Sequence, residues 1–385
     1  MKRAKFTDIV SFCGTSAPRY NGIKRYVSTG ALDVDHIDDT QVEVYKYEEK
    51  PSRANLVVPK GAVLFAKMQA TKKTLVVDEM SQNNVFSTGF FAVLPKSDYI
   101  TTECLYHLIS SELFLQKKDA NCSGATQKAI TLDGLKKIEL SIPDIEEQCE
   151  IGKKLTQLLL LIKKREEQLT YFEDLIKSQF IEMFGLPGTD NNNWGIHTIA
   201  EIAMVNPKKG VDSRLRDGVD VSFVPMPMVG ENGEFDGSII KKYEEVKTGF
   251  TYFAEGDVLF AKITPCMENG KGAIAVNLKN GVGFGSTEFH VLRPVAGKSN
   301  ARWLYALTTL PIFRKEAERK MTGSAGQRRV PSSFISSYKI ALPPIELQNE
   351  FARFVEQTDK SKFRIKESLE NLENCYKALL QKYFG

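Results

Sequence analysis

Basic side chains recur at matching places in two halves of this 385-residue sequence. Lys67 ends the stretch GAVLFAK, and Lys262 ends the similar stretch GDVLFAK. Lysine and arginine neutralise phosphates, and arginine or amide side chains hydrogen-bond base edges, so such positions could bind nucleic acid. The candidate contacts are Arg19, Arg25, Lys67, Lys72, Lys73, Lys128, Lys208, Lys209, Lys262, Arg328 and Arg329. For each of them, the alternative interpretation stays open that the residue is an ordinary solvated charge on the protein surface.

Two glutamines also match. Gln127 lies in NCSGATQKAI, and Gln327 lies in GSAGQRRV. Two domains that recognise different base sequences should have different residues at the positions that contact the bases. A residue common to both is therefore predicted to stabilise the turn, although base contact stays open.

No pattern of catalytic or metal-binding residues stands out. The four histidines are not spaced as ligand pairs, and the sequence has no CxxC, HExxH or P-loop motif. The glycine-rich 281–286 precedes a strand pattern, not a helix, so we predict a turn or bulge there and no nucleotide site. The sequence thus predicts no catalytic residue and no metal site.

Composition bounds the class of protein. The apolar share of 42% permits real cores, and no apolar run approaches a membrane span. The N-terminus lacks the apolar core of a secretion signal, and the six cysteines are scattered, so a reduced, cytoplasmic protein is expected. Residues 1–143 hold 19 basic and 16 acidic side chains (+3), and 186–343 hold 20 and 16 (+4). The net positive charge therefore lies in these two segments, which is compatible with nucleic-acid binding.

The two segments show the same order of elements. Each has a VLFAK strand, a second strand pattern (84–94 in the first), a helix and a glutamine-containing turn. The helices are predicted at Glu103–Lys117 and through Trp303, Leu307 and Phe313. Different insertions, at 21–53 and 208–251, interrupt the shared scaffold, and 186–193 reads as a linker.

A long amphipathic helix follows each segment. Both begin after a proline, Pro143 or Pro343, and repeat at a shift of 200 residues without a gap. Apolar residues recur at a 3.5-residue period, which is typical of a coiled coil, and a helix of roughly 60 Å needs a partner for that stripe. The two helices are predicted to pair antiparallel. The seam residues are Leu155, Leu158, Ile162, Leu169, Phe172, Ile176, Val355, Ile365, Leu369, Leu372, Tyr376 and Leu379.

The polar residues Arg165 and Lys362 interrupt this seam. They could fix its register, but the preferred interpretation is that their long stems reach past the seam to water.

The ordered duplication resembles the specificity subunit of type I restriction–modification enzymes. The resemblance is carried by IPDIEEQ with its long helix, by LPPIELQNEF with its long helix, and by the twice-occurring VLFAK strand. It implies an α+β fold in which two similar mixed α/β target-recognition domains are separated by an intramolecular antiparallel coiled coil. The implied bounds are 1–143 and 186–343 for the domains, and 144–185 and 344–385 for the helices.

The resemblance also implies a function. Each domain would read one half of a bipartite, asymmetric site in double-stranded DNA, and the helices would set the spacer and dock two modification subunits. S-adenosylmethionine, ATP and magnesium would bind to those and to restriction subunits, and this chain would bind no cofactor. Two other classes stay open: a coiled-coil scaffold that binds proteins through its globular ends, and a fused methyltransferase, for which no cofactor motif is found.

Overall fold

The chain forms two compact units in a computed structural model. Unit 1 comprises Met1–Glu166 with Glu367–Gly385, and unit 2 comprises Glu167–Lys366. The structure describes residues 2–125, 127–190, 192–210, 214–324 and 326–384. Outside these described residues lie the outer domain bounds Met1 and Gly385, one residue of each glutamine-containing turn (Thr126 and Ala325), Asn191 of the linker, and 211–213 of the second insertion.

Unit 1 begins with strands and ends in a long helix that continues into unit 2. Its elements are β1 (Lys2–Lys5), α1 (Phe6–Ile9), β2 (Val10–Phe12), β3 (Ile23–Val27), β4 (Glu43–Lys46), β5 (Ala54–Leu56), β6 (Val63–Ala66), β7 (Thr74–Val76), β8 (Val85–Ser87), β9 (Phe90–Pro95), α2 (Thr102–Ile109), α3 (Glu112–Ala120), β10 (Cys122–Ser123), β11 (Ala129–Ile130), α4 (Leu132–Leu135), β12 (Glu139–Ile142) and α5 (Ile145–Phe184).

Two four-stranded sheets form the body of unit 1. The first has the order β2-β9-β6-β7 and is antiparallel, and the second has the order β4-β3-β8-β5 with β3 parallel to β8. The repeated strand β6 is buried along its whole length. Its alternate residues Val63 and Phe65 belong to one apolar cluster, and Leu64 and Ala66 belong to another. A continuous apolar run is what a strand buried on both faces requires.

Unit 2 repeats this plan. Its elements are β13 (Ile196–Thr198), α6 (Ile199–Ile202), β14 (Ala203–Val205), β15 (Asp220–Val224), β16 (Ile240–Lys242), α7 (Tyr243–Val246), β17 (Thr251–Ala254), β18 (Val258–Ala261), β19 (Gly272–Ile274), β20 (Val282–Gly285), β21 (Phe289–Pro294), α8 (Ala301–Thr309), α9 (Pro311–Arg319), α10 (Ser332–Ser337), β22 (Lys339–Ala341) and α11 (Ile345–Phe384), whose second half belongs to unit 1.

The sheets of the two units correspond strand for strand. Unit 2 has the orders β14-β21-β18-β19 and β16-β15-β20-β17, with β15 parallel to β20. The strand β18 repeats the position of β6 and is likewise buried throughout. The shared topology confirms the predicted fold class of two similar mixed α/β domains with two long helices.

The helix predicted in each domain is in fact two helices. In unit 1, α2 ends at Ile109 and α3 begins at Glu112, because Ser111 turns out of the helix and its hydroxyl caps the Phe114 amide at 3.1 Å. In unit 2, Pro311 opens α9 and cannot continue α8. The prediction of one continuous helix was wrong because apolar spacing alone does not show a break that keeps the same face inward.

Two strand predictions also need correction. The pattern at 84–94 is two strands in different sheets, β8 and β9, which a turn at Thr88 and Gly89 separates. The expected turn at 281–286 is largely the buried strand β20. Its glycines lie close to neighbouring groups: a Cβ on Gly283 would overlap the Phe253 ring, and one on Gly285 would overlap the Val224 carbonyl. The glycines there permit close packing.

Each unit contains one half of each long helix, and the halves pack together. In unit 1, Ile151 and Leu155 share a buried cluster with Leu380 and Phe384. In unit 2, the Phe351 ring lies 5.6 Å from that of Phe180 and 5.4 Å from that of Phe184. Early residues of one helix thus meet late residues of the other, as antiparallel pairing requires. None of the predicted seam residues is exposed. Those in the buried class are Leu155, Ile162 and Val355, and those half-buried are Leu158, Leu169, Phe172, Ile176, Ile365, Leu369, Leu372, Tyr376 and Leu379.

The polar seam residues are half-buried too. In unit 2, the Lys362 ammonium lies 3.6 Å from the Glu173 carboxylate, so this lysine has an ionic partner on the facing helix. Arg165 is half-buried in unit 1.

One glutamine near the start of each long helix joins that helix to its domain. Both side chains are fully buried. Gln148 accepts from the Thr101 amide at 2.9 Å and donates to the Tyr99 and Pro143 carbonyls at 2.7 and 2.9 Å. Gln348 accepts from the Asn300 amide and donates to the Lys298 and Pro343 carbonyls, each at 2.9 Å. Such bonds satisfy backbone groups that burial would otherwise leave without a partner.

Candidate nucleic-acid interface

A hairpin and a turn pair side by side in unit 1. We name residues 67–73, 122–125 and 127–129 the first tip. The Ile130 amide donates to the Lys67 carbonyl at 2.9 Å, and the Gln69 amide donates to the Lys128 carbonyl at 3.0 Å. The end of the VLFAK strand and the glutamine-containing turn are therefore one structure, although 60 residues separate Lys67 from Gln127.

Unit 2 contains the same arrangement in 262–271, 322–324 and 326–329, which we name the second tip. The Val330 amide donates to the Lys262 carbonyl at 2.9 Å, and the Thr264 amide donates to the Arg328 carbonyl at 3.0 Å. These bonds match those of the first tip pair by pair, so Arg328 is the counterpart of Lys128.

A buried cation supports each hairpin from inside the domain. Lys118 is 2% exposed, and its ammonium donates to the carbonyls of Met68 and Thr71, both at 2.9 Å, and to that of Ala66 at 3.3 Å. Burial lowers the pKa of Lys118. A charged donor that holds several carbonyls of one loop limits the conformations that the loop can adopt.

Arg314 has the same role in unit 2. It is 9% exposed, and its guanidinium donates to the carbonyls of Thr308, Met267 and Gly270 at 2.6, 2.8 and 3.0 Å. Burial lowers its pKa to about 10, so it remains charged at neutral pH.

A glycine shapes the turn of each tip. Gly124 and Gly323 adopt φ of 134° and 124°, a conformation that other residues rarely take. A Cβ on Gly124 would overlap the Gln127 carbonyl, and one on Gly323 would lie 2.8 Å from the Gln327 carbonyl. Both turns thus need glycine for the same close approach.

Most of the predicted basic residues already have partners within the protein. Ion pairs join Arg19 to Glu48, Arg25 to Asp39, Lys72 to Glu112, Arg328 to Glu268 and Arg329 to Glu288. The pair of Arg329 is bidentate, at 2.9 and 2.8 Å, and raises the pKa of that arginine. These residues are less available to phosphate than isolated cations would be.

Three of the predicted lysines donate to backbone carbonyls. Lys67 donates to Thr88 at 2.8 Å, Lys73 to Thr29 at 2.8 Å, and Lys209 to Lys247 at 2.7 Å. Burial lowers the pKa of Lys67 and, in the second tip, that of Lys262.

Lys128 and Lys208 are exposed. Lys128 lies in the first tip. Lys208 lies two residues after Asn206, whose side chain contacts one ring nitrogen of His290. The other ring nitrogen of His290 contacts the carbonyl of Val330, the residue that follows the second tip. Arg19 and Arg25 belong to neither tip. Arg25 lies in β3, and Arg19 lies shortly before that strand. Next to Arg19, the Tyr20 ring packs edge to face against that of Tyr47, with centroids 5.4 Å apart.

The sequence of the chain matches one family model over most of its length. The model describes the type I restriction modification DNA specificity domain, and it matches twice, at residues 15–171 and 191–374. The chain belongs to this family. Its two matches coincide with the two halves that carry the two tips.

Curated relatives in this family are specificity subunits. The EcoAI specificity subunit of Escherichia coli is 46% identical over 160 residues, which are 41% of this chain and 26% of that protein. The EcoEI specificity subunit of E. coli is 42% identical over 205 residues, 52% of this chain and 32% of that protein. The chain thus matches about a quarter to a third of the length of these relatives.

A solved structure has a similar fold over the whole chain. It is a type I restriction–modification system S subunit from M. genitalium, with a TM-score of 0.54 at 13% identity, and the match covers 100% of this chain and 96% of that one. At this identity the likeness concerns the fold.

Unit 2 also contains a cavity of about 1190 Å³ between the domain and its helix halves. Apolar residues such as Ile176, Ala306 and Val355 line it, together with Tyr305 and ion-paired side chains. In unit 1 the corresponding junction contains polar contacts: the His107 imidazole lies 2.8 Å from the Tyr376 hydroxyl and 2.9 Å from that of Thr156.

Within the described residues, no group of three or more histidine, cysteine or acidic residues could hold a metal ion. Among those same residues, no helix is long and apolar enough to cross a membrane.

Sequence reasoning missed the residues that hold the tips in place. Lys118 and Arg314 occupy the α3 and α9 helices of the repeat, where a cation is normally read as solvated. The available signal was their spacing from buried aromatic residues: Lys118 lies about one helical turn after Phe114, and Arg314 directly follows Phe313. Gln148 and Gln348 are the glutamines of the repeated stretches IPDIEEQ and LPPIELQNEF, but no sequence signal marks them as buried.

Proposed function

We propose that this chain is the non-catalytic DNA-recognition subunit of a type I restriction–modification complex. Residues 1–143 and 186–343 act as two target-recognition domains, each of which reads one half of a bipartite, asymmetric site in duplex DNA. The helices 144–185 and 344–385 set the length of the unread spacer. The observation that carries this proposal is the twice-built tip, supported by the match of the DNA specificity family to each half.

Two matched tips with unlike surroundings suit this function. The paired hairpin and turn recur, whereas the insertions beside them differ in sequence. A common frame with variable neighbours lets two domains bind the same kind of polymer and choose different bases.

Phosphate contacts supply affinity in this proposal. Lys128 and Lys208 are the first candidates because they are exposed. The ion-paired arginines become available only when DNA replaces the carboxylate partner, so they serve specificity better than bulk affinity. Loss of one phosphate contact should reduce the salt dependence of binding by about one unit of slope.

Partner subunits bring the chemistry. In unit 1, Leu160 and Leu161 are exposed apolar residues of α5, and in unit 2, Tyr171, Leu175 and Phe363 are exposed on the helix halves. Apolar side chains that remain outside the seam are suited to docking modification subunits, of which two bind. S-adenosylmethionine, ATP and magnesium bind to those and to restriction subunits in the cytoplasm.

Selection of bound duplexes tests this function. The chain is purified with its modification partner and incubated with a random duplex library, and the retained DNA is sequenced. The expected result is enrichment of two short defined blocks at a fixed distance. A double variant, Lys128→Ala with Lys208→Ala, should weaken retention of all duplexes alike, with Lys164→Ala, an exposed lysine of α5, as the control.

The alternative is a scaffold whose globular ends bind proteins. The exposed apolar residues of the helices are compatible with it, but the tips give it no specific support. Failure of the complex to retain any duplex would favour this scaffold over DNA recognition.

A further inference from the structure

The side chains of Gln127 and Gln327 project from the tips without internal partners. Both are exposed. In the part of the chain that the structure describes, neither side-chain amide makes a hydrogen bond, so the predicted turn-stabilising role of these amides is not seen. The backbone of Gln327 is bonded within the tip: its amide donates to the Ser324 carbonyl and its carbonyl accepts from the Arg329 guanidinium, both at 3.1 Å.

The backbone that carries each glutamine is held in place. The residue that follows, Lys128 or Arg328, is bonded through its carbonyl to the hairpin at 3.0 Å. The glycine three or four positions earlier lies against the glutamine carbonyl. A side chain on a fixed backbone loses less conformational freedom when it binds, which favours recognition.

The two glutamines are equivalent in structure as well as in sequence. The hydrogen bonds that flank them match pair by pair, and Lys118 and Arg314 support the two hairpins in the same way. Each glutamine is exposed, and its side chain does not stabilise the turn. Because both domains have this glutamine, it is suited to contact a base that both half-sites share.

Glutamine has a specific chemical match among the bases. Its carbonyl oxygen accepts from the adenine N6 amino group while its amide nitrogen donates to adenine N7, both in the major groove. The neighbouring Lys128 is exposed and suited to an adjacent phosphate, whereas Arg328 would reach one only after leaving its partner Glu268. We propose that Gln127 and Gln327 each read one adenine, so that both half-sites contain an adenine at the position facing the tip. This proposal rests on the proposed DNA-recognition function.

The test removes the hydrogen-bonding group on each side of the contact in turn, first on the adenine and then on the glutamine. Duplexes that carry the selected site are made with 7-deaza-adenine, which lacks the N7 acceptor, at one adenine at a time. Each is titrated with the complex of the wild-type chain and its modification partner, and with Gln127→Leu or Gln327→Leu. Gln82→Leu, at a half-buried glutamine outside both tips that donates to the Glu79 carbonyl, is the control.

The expected result is specific to one adenine in each half-site. At that adenine, 7-deaza substitution should weaken wild-type binding several-fold, whereas the matching leucine variant should not distinguish the two duplexes. The leucine variant itself should bind the natural site about ten- to a hundred-fold more weakly. Gln127→Glu should shift the preferred base at that position from adenine to cytosine, because a carboxylate accepts from cytosine N4 but cannot donate to N7.

Three outcomes would overturn the proposal. The leucine variants could bind as tightly as the wild-type chain, or their loss could add to that of 7-deaza substitution at every adenine. The glutamate variant could also keep the original base. If the wild-type complex retains no duplex at all, the proposed function fails first, so the two failures are distinguishable.

Discussion

Replacing the buried glutamine of a long helix should loosen one unit and leave the other intact. In Gln348→Met the side chain keeps a similar volume, so little cavity forms and the lost hydrogen bonds dominate. The substitution removes three bonds of 2.9 Å and leaves the Asn300 amide and the Lys298 and Pro343 carbonyls without these bonds. At about 1 to 1.5 kcal/mol for each group, the expected loss is about 3 to 5 kcal/mol of the free energy of unfolding of unit 2.

Two measurements follow this loss. Denaturant unfolding gives the change in free energy, and amide hydrogen exchange locates it. A loss of 3 kcal/mol corresponds to exchange about a hundred-fold faster in the segments 298–309 and 343–355 if they open together. Gln148→Met should have the same effect in unit 1, because Gln148 makes the corresponding bonds.

The chain offers matched controls for both variants. Gln157 and Gln357 are exposed on the same helices and also repeat at a shift of 200. Their replacement by methionine should change the free energy by less than about 0.5 kcal/mol. If Gln348→Met is no more destabilising than Gln357→Met, the glutamine does not hold the helix to the domain and the reasoning is refuted.

Three other perturbations test a buried histidine, the cations that support the tips, and the length of the long helices. Burial lowers the pKa of His107 to about 4, below the usual 6.5, so its neutral form stabilises unit 1 above pH 6.5 and this stabilisation is lost as the pH falls toward 4. The free energy of unfolding should be about 2 kcal/mol smaller at pH 5 than at pH 7 in the wild-type chain, and this difference should be absent in His107→Phe. An equal pH dependence of the two proteins would contradict this. Arg314→Met should lower the free energy of unfolding of unit 2 by about 3 kcal/mol and weaken binding to only one half-site. Lys118→Met should weaken binding to the other half-site. If either variant weakens binding to both half-sites, the two tips do not act separately. Insertion of one helical turn in both α5 and α11 should change the spacer between the half-sites, as sequencing of the selected duplexes would show, and altered bases within a half-site would contradict the role as a spacer.

The sequence reveals the architecture because duplication and periodicity are long-range signals. The repeat of Pro143 at Pro343 and the 3.5-residue stripe predict the paired helices, and the seam residues Leu155 and Val355 are indeed buried. Local breaks are harder, because Ser111 fits a helix pattern equally well as an interior residue or as a cap.

The site is less predictable than the fold. Burial of Lys118 and Arg314 depends on carbonyls contributed by loops far away in sequence, and no local pattern encodes that. Likewise, sequence alone could not show which basic residues form ion pairs: Arg329 is bidentate with Glu288, 41 positions away, whereas Lys128 is exposed.

The central claim is that two similar domains of one chain read two separate blocks of DNA. Exchange of residues 1–143 for the same domain of another family member, followed by sequencing of the duplexes that the complex with the modification partner retains, tests it most directly. The account predicts that one block changes while the other block and the spacer stay as they were. A change in both blocks, or a single contiguous site before and after the exchange, would contradict it.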